Sequence, residues 1–178
     1  MQIITNHKGA DFDAVASVMA DKILYPEAVA VLPKSLNPNV KAFLSIHKDV
    51  FDARTPHEIE PQEVMRLIVV DTNRWDRLEQ TDRLKKNKYL EIFLWDHHLS
   101  EGDIEATWKC EGAVGANITL LIRGIKQQNI ELTPRQATLF LAGLYEDTGN
   151  LTFPATTAED ALAAAYLLQQ GADLSVLS

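Results

Sequence analysis

Two short and nearly continuous apolar runs constrain the fold of this chain more than any other feature. The runs are RLIVV at 66–70 and LEIFLW at 90–95, and each has the length of a single strand. Strands this apolar are typical of parallel sheets, in which both faces are covered by helices. The chain alternates such runs with helical patterns, as βαβ units do. The sequence therefore predicts a three-layer α/β fold, with a mostly parallel sheet and helices on both faces.

Weaker signals complete the predicted order of elements. Further strands are predicted at 2–5 and 28–32, and another at 105–109, at an edge of the sheet. The spacing of apolar residues predicts helices over 14–25, 39–51, 115–128, 135–147 and 161–170. Capping-box spacing predicts the last two helix starts, at Thr133 with Gln136 and at Thr156 with Glu159. The segment 52–63, with Pro56 and Pro61 among several charges, is predicted to be a surface loop.

Length and composition limit the class of protein. A chain of 178 residues, 46% hydrophobic and 24% charged, is expected to form one domain over 1–178 with its own core. The net charge of −8 argues against broad binding to a nucleic-acid backbone, although bound cations would offset acidic charge locally. The single cysteine, Cys110, cannot form an internal disulfide, and no apolar run is long enough to span a membrane. We predict a cytoplasmic protein with no membrane partner.

Potential metal ligands follow three of the predicted strands. They are His7, Asp11 and Asp13 after the first strand, Asp71 after RLIVV, and Asp96, His97 and His98 after LEIFLW. Asp147 ends the helix predicted at 135–147. Because ligands bind outside the carboxyl ends of parallel strands, near the point where strand order reverses, we expect these side chains to meet there.

The predicted ligand set contains four carboxylates and two imidazoles. They are Asp11, Asp13, Asp71, Asp147, His7 and His97. Such ligands suit Mn²⁺, with Mg²⁺ or Co²⁺ as alternatives, better than a thiolate-rich zinc site. Two cations fit better than one, since a single ion would leave buried carboxylates facing each other without compensation. A pair about 3.5–4 Å apart, with Asp71 as the natural bridge, would generate a hydroxide nucleophile for hydrolysis of phosphoesters or phosphoanhydrides.

Four motifs, in order, resemble those of the DHH phosphoesterase family. They are NHKGADFDAVAS, VVDTN, WDHHLS and EDTGNLTF, and together they cover residues 1 to about 155. The family includes single-strand exonucleases, oligoribonucleases, cyclic-dinucleotide phosphodiesterases, exopolyphosphatases and family II pyrophosphatases. One position departs from the pattern, because Ala10 stands where the family usually has proline. This departure removes no potential ligand.

The resemblance implies a role for each site residue. One cation would be held by His7, Asp11 and Asp71, and the other by Asp13, Asp71, His97 and Asp147. Besides the bridging Asp71, the catalytic group would be His98, facing the substrate phosphate, while Asp96 would orient an imidazole from behind. Arg74 and Arg77 follow the second motif and are candidates for phosphate contacts.

After the fourth motif, the sequence resembles the DHH segment of bacterial fusion proteins that carry CBS and poly(A) polymerase or tRNA nucleotidyltransferase-like domains. The resemblance implies that 1–178 is the N-terminal part of a longer polypeptide, whose downstream domains contact the substrate. We predict a two-metal phosphodiesterase acting on short oligonucleotides or nucleotide phosphates. The sequence leaves open a pyrophosphatase or exopolyphosphatase, and also a non-catalytic module that binds a phosphate ligand. It also leaves homo-oligomerisation open.

Other polar and aromatic residues have simpler interpretations. The basic run of Arg83, Lys85, Lys86 and Lys88 is predicted to be a solvated helix face rather than a contact to nucleic acid. Trp95 lies in an apolar strand and is predicted to be part of the core. Trp75 is the tryptophan that we retain as a candidate for stacking on a base. His47 and His57 are predicted to be surface residues.

Overall fold

The computed structural model describes residues 1–178 and contains a five-stranded parallel sheet. The strands are β1 (Gln2–Thr5), β2 (Val29–Val31), β3 (Arg66–Val70), β4 (Glu91–Asp96) and β5 (Trp108–Glu111), in the order β2-β1-β3-β4-β5. Every pairing is parallel, with Thr5 opposite Val69 and Val70 opposite Trp95. The carboxyl ends of β1, β3 and β4 therefore lie level with one another, and the strand order reverses between β1 and β3.

Five α-helices and several short 3₁₀-helices connect the strands or follow them. The α-helices are α1 (Phe12–Leu24), α2 (Pro38–Ile46), α3 (Asn117–Gln127), α4 (Pro134–Thr148) and α5 (Ala158–Gln169). The 3₁₀-helices are Pro56–Glu58, Pro61–Glu63, Trp75–Arg77, Thr81–Lys86 and Leu174–Val176. No helix combines the length and the apolar composition needed to cross a bilayer.

Alternation of side chains along the strands produces one apolar core on each face of the sheet. Ile4 and Ile68 belong to a cluster of 32 buried residues shared with the α-helices. Their neighbours Ile3 and Leu67 belong to a cluster of 12 buried residues on the opposite face. Segments carrying the 3₁₀-helices cover that second face, for example through Leu84. The three-layer α/β prediction is confirmed, and the sheet is parallel throughout.

Helix α2 and strand β5 differ most from their predicted bounds. Helix α2 ends at Ile46 rather than Phe51, because a turn follows in which the N–H groups of Val50 and Phe51 donate to the carbonyl of His47. Phe51 nevertheless reaches the core, with its ring centroid 6.0 Å from that of Phe43. Strand β5 lies at the edge as predicted, but it comprises Trp108–Glu111 rather than 105–109.

The start of α5 also differs from the prediction. The capping box joins Thr157 and Asp160, one residue later than the predicted pair of Thr156 and Glu159. The sequence TTAED offers both pairings. Asp160 is selected because its carboxylate also accepts hydrogen bonds from the segment that precedes α3. The capping box of α4, Thr133 with Gln136, is confirmed.

Helices α1 and α4 are in close contact at Gly143. A Cβ atom at this position would lie 2.9 Å from the Cβ of Ala16, from the Cα of Asp13 and from the carbonyl oxygen of Phe12. Only a residue without a side chain permits this contact. The contact brings the first turn of α1, which carries Asp13, against the helix that carries Asp147.

We expect Gly143→Ala to lower the free energy of unfolding by about 1–3 kcal/mol, because the added methyl group would overpack this contact. Gly124→Ala in α3 is the matched control, since the nearest atom to its Cβ, at 3.2 Å, is the end of the flexible Leu24 side chain. Alanine has the higher helix propensity, so the control should be neutral or stabilising. Urea denaturation measures both variants, and equal stability of the two would contradict the close approach of α1 and α4.

Candidate metal centre

The carboxyl edge of the sheet brings the predicted site residues together. His7 follows β1, Asp71 follows β3 directly, and Asp96 is the last residue of β4. Asp71 has a φ of 60°, in the left-handed region, and its N–H donates to the Trp95 carbonyl at 2.9 Å. Aspartate tolerates this conformation better than most residues, and such backbone is concentrated at functional sites.

The first group of potential ligands contains His7, Asp11 and Asp71, whose ligand atoms lie within 4.8 Å of one another. The Nε2 atom of His7 is 3.4 Å from Oδ2 of Asp71. Its Nδ1–H donates to the Lys8 carbonyl at 2.8 Å, so a neutral ring presents Nε2 as the metal-binding nitrogen. Asp11 caps α1 by accepting the Ala14 N–H at 2.9 Å through Oδ1, which leaves Oδ2 for a cation.

The second group contains Asp13, Asp71, His97 and Asp147, again with ligand atoms within 4.8 Å of one another. The Nε2 atom of His97 lies 3.3 Å from Oδ1 of Asp71 and 3.5 Å from Oδ2 of Asp147. Asp71 thus belongs to both groups and directs a different oxygen toward the histidine of each. This shared carboxylate makes the two groups one cluster with two candidate positions for a cation.

The segment 114–118, at the start of α3, holds two members of the second group. The Nδ1–H of His97 donates to the Val114 carbonyl at 3.0 Å, so Nε2 points at the carboxylates. Asp13 is fully buried and accepts the N–H groups of Asn117 at 2.7 Å and Ile118 at 2.8 Å. A carboxylate has about four acceptor positions, so these bonds leave others free for a cation.

His98 lies beside the cluster, and a buried carboxylate orients its imidazole ring through a hydrogen bond. Its Nδ1–H donates to Oδ1 of Asp96 at 2.6 Å, and this bond raises the pKa of His98. The side chain is 45% exposed, in contrast to the buried Asp71. A cavity of about 540 Å³ adjoins His98 and is also lined by Ser100 and Lys109.

The protonation states of the cation-free cluster reflect its crowded negative charge. Burial and the nearby Asp71 raise the pKa of Asp147 to about 6. Burial, together with Asp71 and Asp147, also raises the pKa of Asp13 well above its ordinary value. Burial opposes the charge on His97, but the carboxylate of Asp71 outweighs it and raises the pKa of His97 to about 9. Protons thus supply compensation that a cation would otherwise provide.

Two buried atoms at the centre of the cluster show that its residues fit a metal ion. Oδ1 of Asp71 and Nε2 of His97 are both buried, and neither has a hydrogen-bond partner. Buried polar atoms without partners are uncommon and costly. A divalent cation between them would satisfy both atoms, and carboxylate oxygen with imidazole nitrogen suits Mn²⁺-type ions.

The two predicted phosphate-contact arginines have different surroundings. The guanidinium of Arg74 is already paired with Asp76, with both N–O distances at 2.9 Å. Arg77 is exposed, and its carbonyl accepts the Lys8 N–H at 2.8 Å, which places its backbone beside the His7 turn. Of the two arginines, Arg77 is therefore the one without a competing ion pair.

The structure also shows the surroundings of the aromatic and basic residues singled out in the sequence, and those of Ala10. Trp75, retained as a candidate for stacking on a base, is only 6% exposed and packs in the second core, so little of its ring is available to a base. Trp95 is buried as predicted. The basic residues Arg83, Lys85, Lys86 and Lys88 are all exposed, as expected of a solvated face. The N–H of Ala10 donates to the Ser35 carbonyl at 3.2 Å, a bond that proline could not make.

The sequence interpretation missed the groups that hold the ligands from behind. These are the Val114 carbonyl and the N–H groups of Asn117 and Ile118, together with the Asp160 carboxylate, which bonds to the segment that carries them. Backbone groups carry no sequence signal. Asp160 had one, since Thr157 and Asp160 have capping-box spacing, but the neighbouring pair was chosen instead.

Comparison with known protein families matches this chain to one of them. Residues 2–144 match the DHH family, N-terminal domain. An A-adding tRNA nucleotidyltransferase of Geobacter sulfurreducens is 36% identical over 180 residues, which are 100% of this chain and 20% of that protein. The chain therefore spans about one fifth of the length of this relative.

More distant relatives include two proteins of other activities, both 26% identical to this chain. One is a "probable manganese-dependent inorganic pyrophosphatase" of Bacillus cereus, and the matched region is 94% of this chain and 54% of that protein. A "probable bifunctional oligoribonuclease and PAP phosphatase" of Streptococcus mutans covers 99%, again with 54% of its length matched. Among solved structures, an exopolyphosphatase-related protein from Bacteroides fragilis has a TM-score of 0.80 at 18% identity, covering 98% of this chain and 54% of that one. This last likeness concerns the fold.

We expect the thermal stability of the metal-free protein to fall as the pH rises from 6 to 8. His97 has a folded-state pKa of about 9 against an ordinary value of 6.5, so its contribution is complete below about pH 6.5 and is lost toward pH 9. Asp147, with a pKa raised from 3.8 to about 6, has lost most of its contribution by pH 6 and changes in the same direction. Melting curves in a chelator measure the slope.

Added Mn²⁺ should raise the melting temperature more at pH 8 than at pH 6, because the cation displaces the proton on His97. The variant His97→Gln should flatten both effects. His47→Gln, outside the cluster, is the control and should leave them unchanged. A Mn²⁺ shift that is the same at both pH values would contradict competition between cation and proton.

Proposed function

We propose that this chain, which belongs to the DHH family, carries the two-metal centre of a phosphoesterase. The phosphoesterase would hydrolyse short nucleic acids or nucleotide phosphodiesters. The observation that carries the proposal is the position of Asp71, which directs one oxygen toward His7 and the other toward His97. A carboxylate shared in this way suits two neighbouring cations, the arrangement that phosphoryl displacement uses.

The proposed ligand sets follow two of the three groups of potential ligands; the third group joins His98 to Asp71 and His97. His7, Asp11 and Asp71 would hold one divalent cation, and Asp13, Asp71, His97 and Asp147 would hold the other. Mn²⁺ is the preferred ion, supported by the ligand chemistry and by the name of the pyrophosphatase relative. When bound, the pair would supply an activated water and stabilise charge on the attacking and leaving oxygens.

Residues of the chain would orient the substrate around this centre. His98 commits Nδ1–H to Asp96, so in the imidazolium form Nε2–H is free to donate to a phosphate oxygen. Because its pKa is raised by Asp96, the imidazolium form would persist closer to neutral pH. Arg77, exposed and without an ion pair, would attract a further phosphate, whereas Arg74 would first have to leave Asp76. The cavity beside His98 would receive the rest of the substrate.

The relatives support a substrate that contains a nucleotide. The tRNA nucleotidyltransferase at 36% identity and the oligoribonuclease and PAP phosphatase at 26% both have names that refer to nucleic acid or nucleotides. The chain spans one fifth of the first of these relatives, so we also propose that residues 1–178 form one domain of a longer polypeptide. Substrate contacts from other domains would add positioning energy.

Two other functions each have a specific observation in their favour. The pyrophosphatase relative and the fold of the exopolyphosphatase-related protein favour hydrolysis of phosphoanhydrides by the same centre. The tRNA nucleotidyltransferase relative favours a module that binds a phosphate ligand without hydrolysing it. Substrate tests separate all three.

With Mn²⁺, we expect hydrolysis of a short oligonucleotide and of bis(p-nitrophenyl) phosphate to exceed hydrolysis of pyrophosphate at equal concentration. Phosphate release measures hydrolysis of pyrophosphate, a chromogenic assay measures hydrolysis of bis(p-nitrophenyl) phosphate, and electrophoresis of the shortened products measures hydrolysis of the oligonucleotide, with a chelated sample as the control. Faster hydrolysis of pyrophosphate would favour the phosphoanhydride function. Bound Mn²⁺ without turnover of any substrate would favour the binding module.

Asp71→Ala and His98→Ala should both lower activity, but only Asp71→Ala should weaken metal binding. Asp71→Ala should remove activity and weaken both cation sites, since each site loses a ligand. His98→Ala should retain both cations and lower kcat by about 10²–10³, the effect of removing one donor to a transition-state oxygen. Metal analysis alongside kinetics tests the pair. Similar loss of metal in the two variants would contradict these roles.

A further inference from the structure

We propose that Asp160 is a positioning residue for the second cation site, acting through the segment 114–119 that orients Asp13 and His97. The inference rests on the proposed two-metal function. Asp160 itself lies in α5, after the end of the family match at residue 144, and none of the potential ligand groups contains it.

The Asp160 carboxylate joins the start of α5 to the start of α3. On the α3 side it accepts the Gly115 N–H at 2.8 Å, the Thr119 Oγ1–H at 2.6 Å and, more weakly, the Ala116 N–H at 3.4 Å. On the α5 side it accepts the N–H and Oγ1–H of Thr157, at 2.7 and 2.9 Å. The residue is fully buried, so water cannot replace these bonds without a structural change.

The segment that Asp160 holds is the one that contacts the ligands. Val114, one residue before Gly115, accepts from His97, and Asn117, one residue after Ala116, donates to Asp13. The backbone groups bonded to Asp160 therefore lie directly between those bonded to His97 and those bonded to Asp13. A shift of this short segment would move the acceptor for His97 and the donors for Asp13 together.

Packing around Gly115 extends this connection toward Asp147. A Cβ atom at 115 would lie 2.8 Å from Cγ2 of Thr148, the neighbour of Asp147, and 2.9 Å from Oδ2 of Asp160. The segment thus lies against α4 as well as α5. His7 and Asp11, which belong only to the first group, have no hydrogen bond to this segment.

This asymmetry predicts an effect on one cation site only. In Asp160→Ala, Mn²⁺ affinity at the second site should fall about 10–100-fold, the usual effect of removing a group that orients metal ligands. Affinity at the first site should stay within about twofold of wild type, a change of only a few tenths of a kcal/mol. Two-site Mn²⁺ titration by calorimetry, with electron paramagnetic resonance, measures both. At one equivalent of Mn²⁺, the electron paramagnetic resonance spectrum of the variant should come mainly from single Mn²⁺ ions that are not spin-coupled to a second ion.

A conservative variant and a matched control separate positioning from stability. Asp160→Asn keeps one acceptor oxygen and should give an intermediate second-site affinity; it also carries the test if the alanine variant does not fold. Asp173→Asn makes the same chemical change at a capping residue that holds Ser175 instead, through bonds of 2.9 and 2.6 Å. This control should leave both affinities unchanged.

The outcomes distinguish this inference from the proposed function. If the wild-type chain binds fewer than two Mn²⁺ ions, the two-metal function fails, and this inference fails with it. If the wild type binds two ions but the Asp160 variants keep wild-type affinity at both sites, only the inference is overturned. Equal weakening of the two sites would also overturn it, because Asp160 would then act through general stability.

Discussion

The crowding of carboxylates at one edge of the sheet is the constraint on which the rest of the structure depends. Asp13 and Asp71 are buried, the Asp147 side chain is 25% exposed, and the three place carboxylate oxygens within 4.8 Å of one another. Carboxylates this close cannot all be ionised without positive charge between them. The carboxylates are nevertheless held in place by the helices, the segment 114–118 and the histidines. The available hydrogen-bond donors are backbone N–H groups and imidazoles. We interpret this arrangement as a preformed cation site rather than as a source of stability.

The sequence alone predicted the sheet and the residues that meet at its edge, for a simple physical reason. Strands buried on both faces, such as Arg66–Val70, are continuous apolar runs, and parallel strands place their carboxyl ends side by side. Asp71 and His97 could therefore be brought together from their positions after two runs. The family match, over residues 2–144, includes the first three of the four motifs. The ligand roles themselves stay predictions.

What the sequence could not predict depends on tertiary contacts. Helix α2 ended early because a turn, rather than another helical turn, brought Phe51 to the core. Trp75 was kept as a candidate for stacking on a base, but it packs among the buried residues of the second core. Asp160 was overlooked because two capping frames compete in TTAED, and only the contact with α3, 41 residues away along the chain, distinguishes them. Local patterns contain no information about such distant partners.

Anomalous diffraction at the manganese edge, from crystals of this chain soaked with Mn²⁺, tests the central claim most directly. The two-metal account predicts two peaks about 3.5–4 Å apart, with Asp71 between them. One peak should lie beside His7 and Asp11, and the other beside Asp13, His97 and Asp147. A single peak, or peaks away from Asp71, would contradict the account.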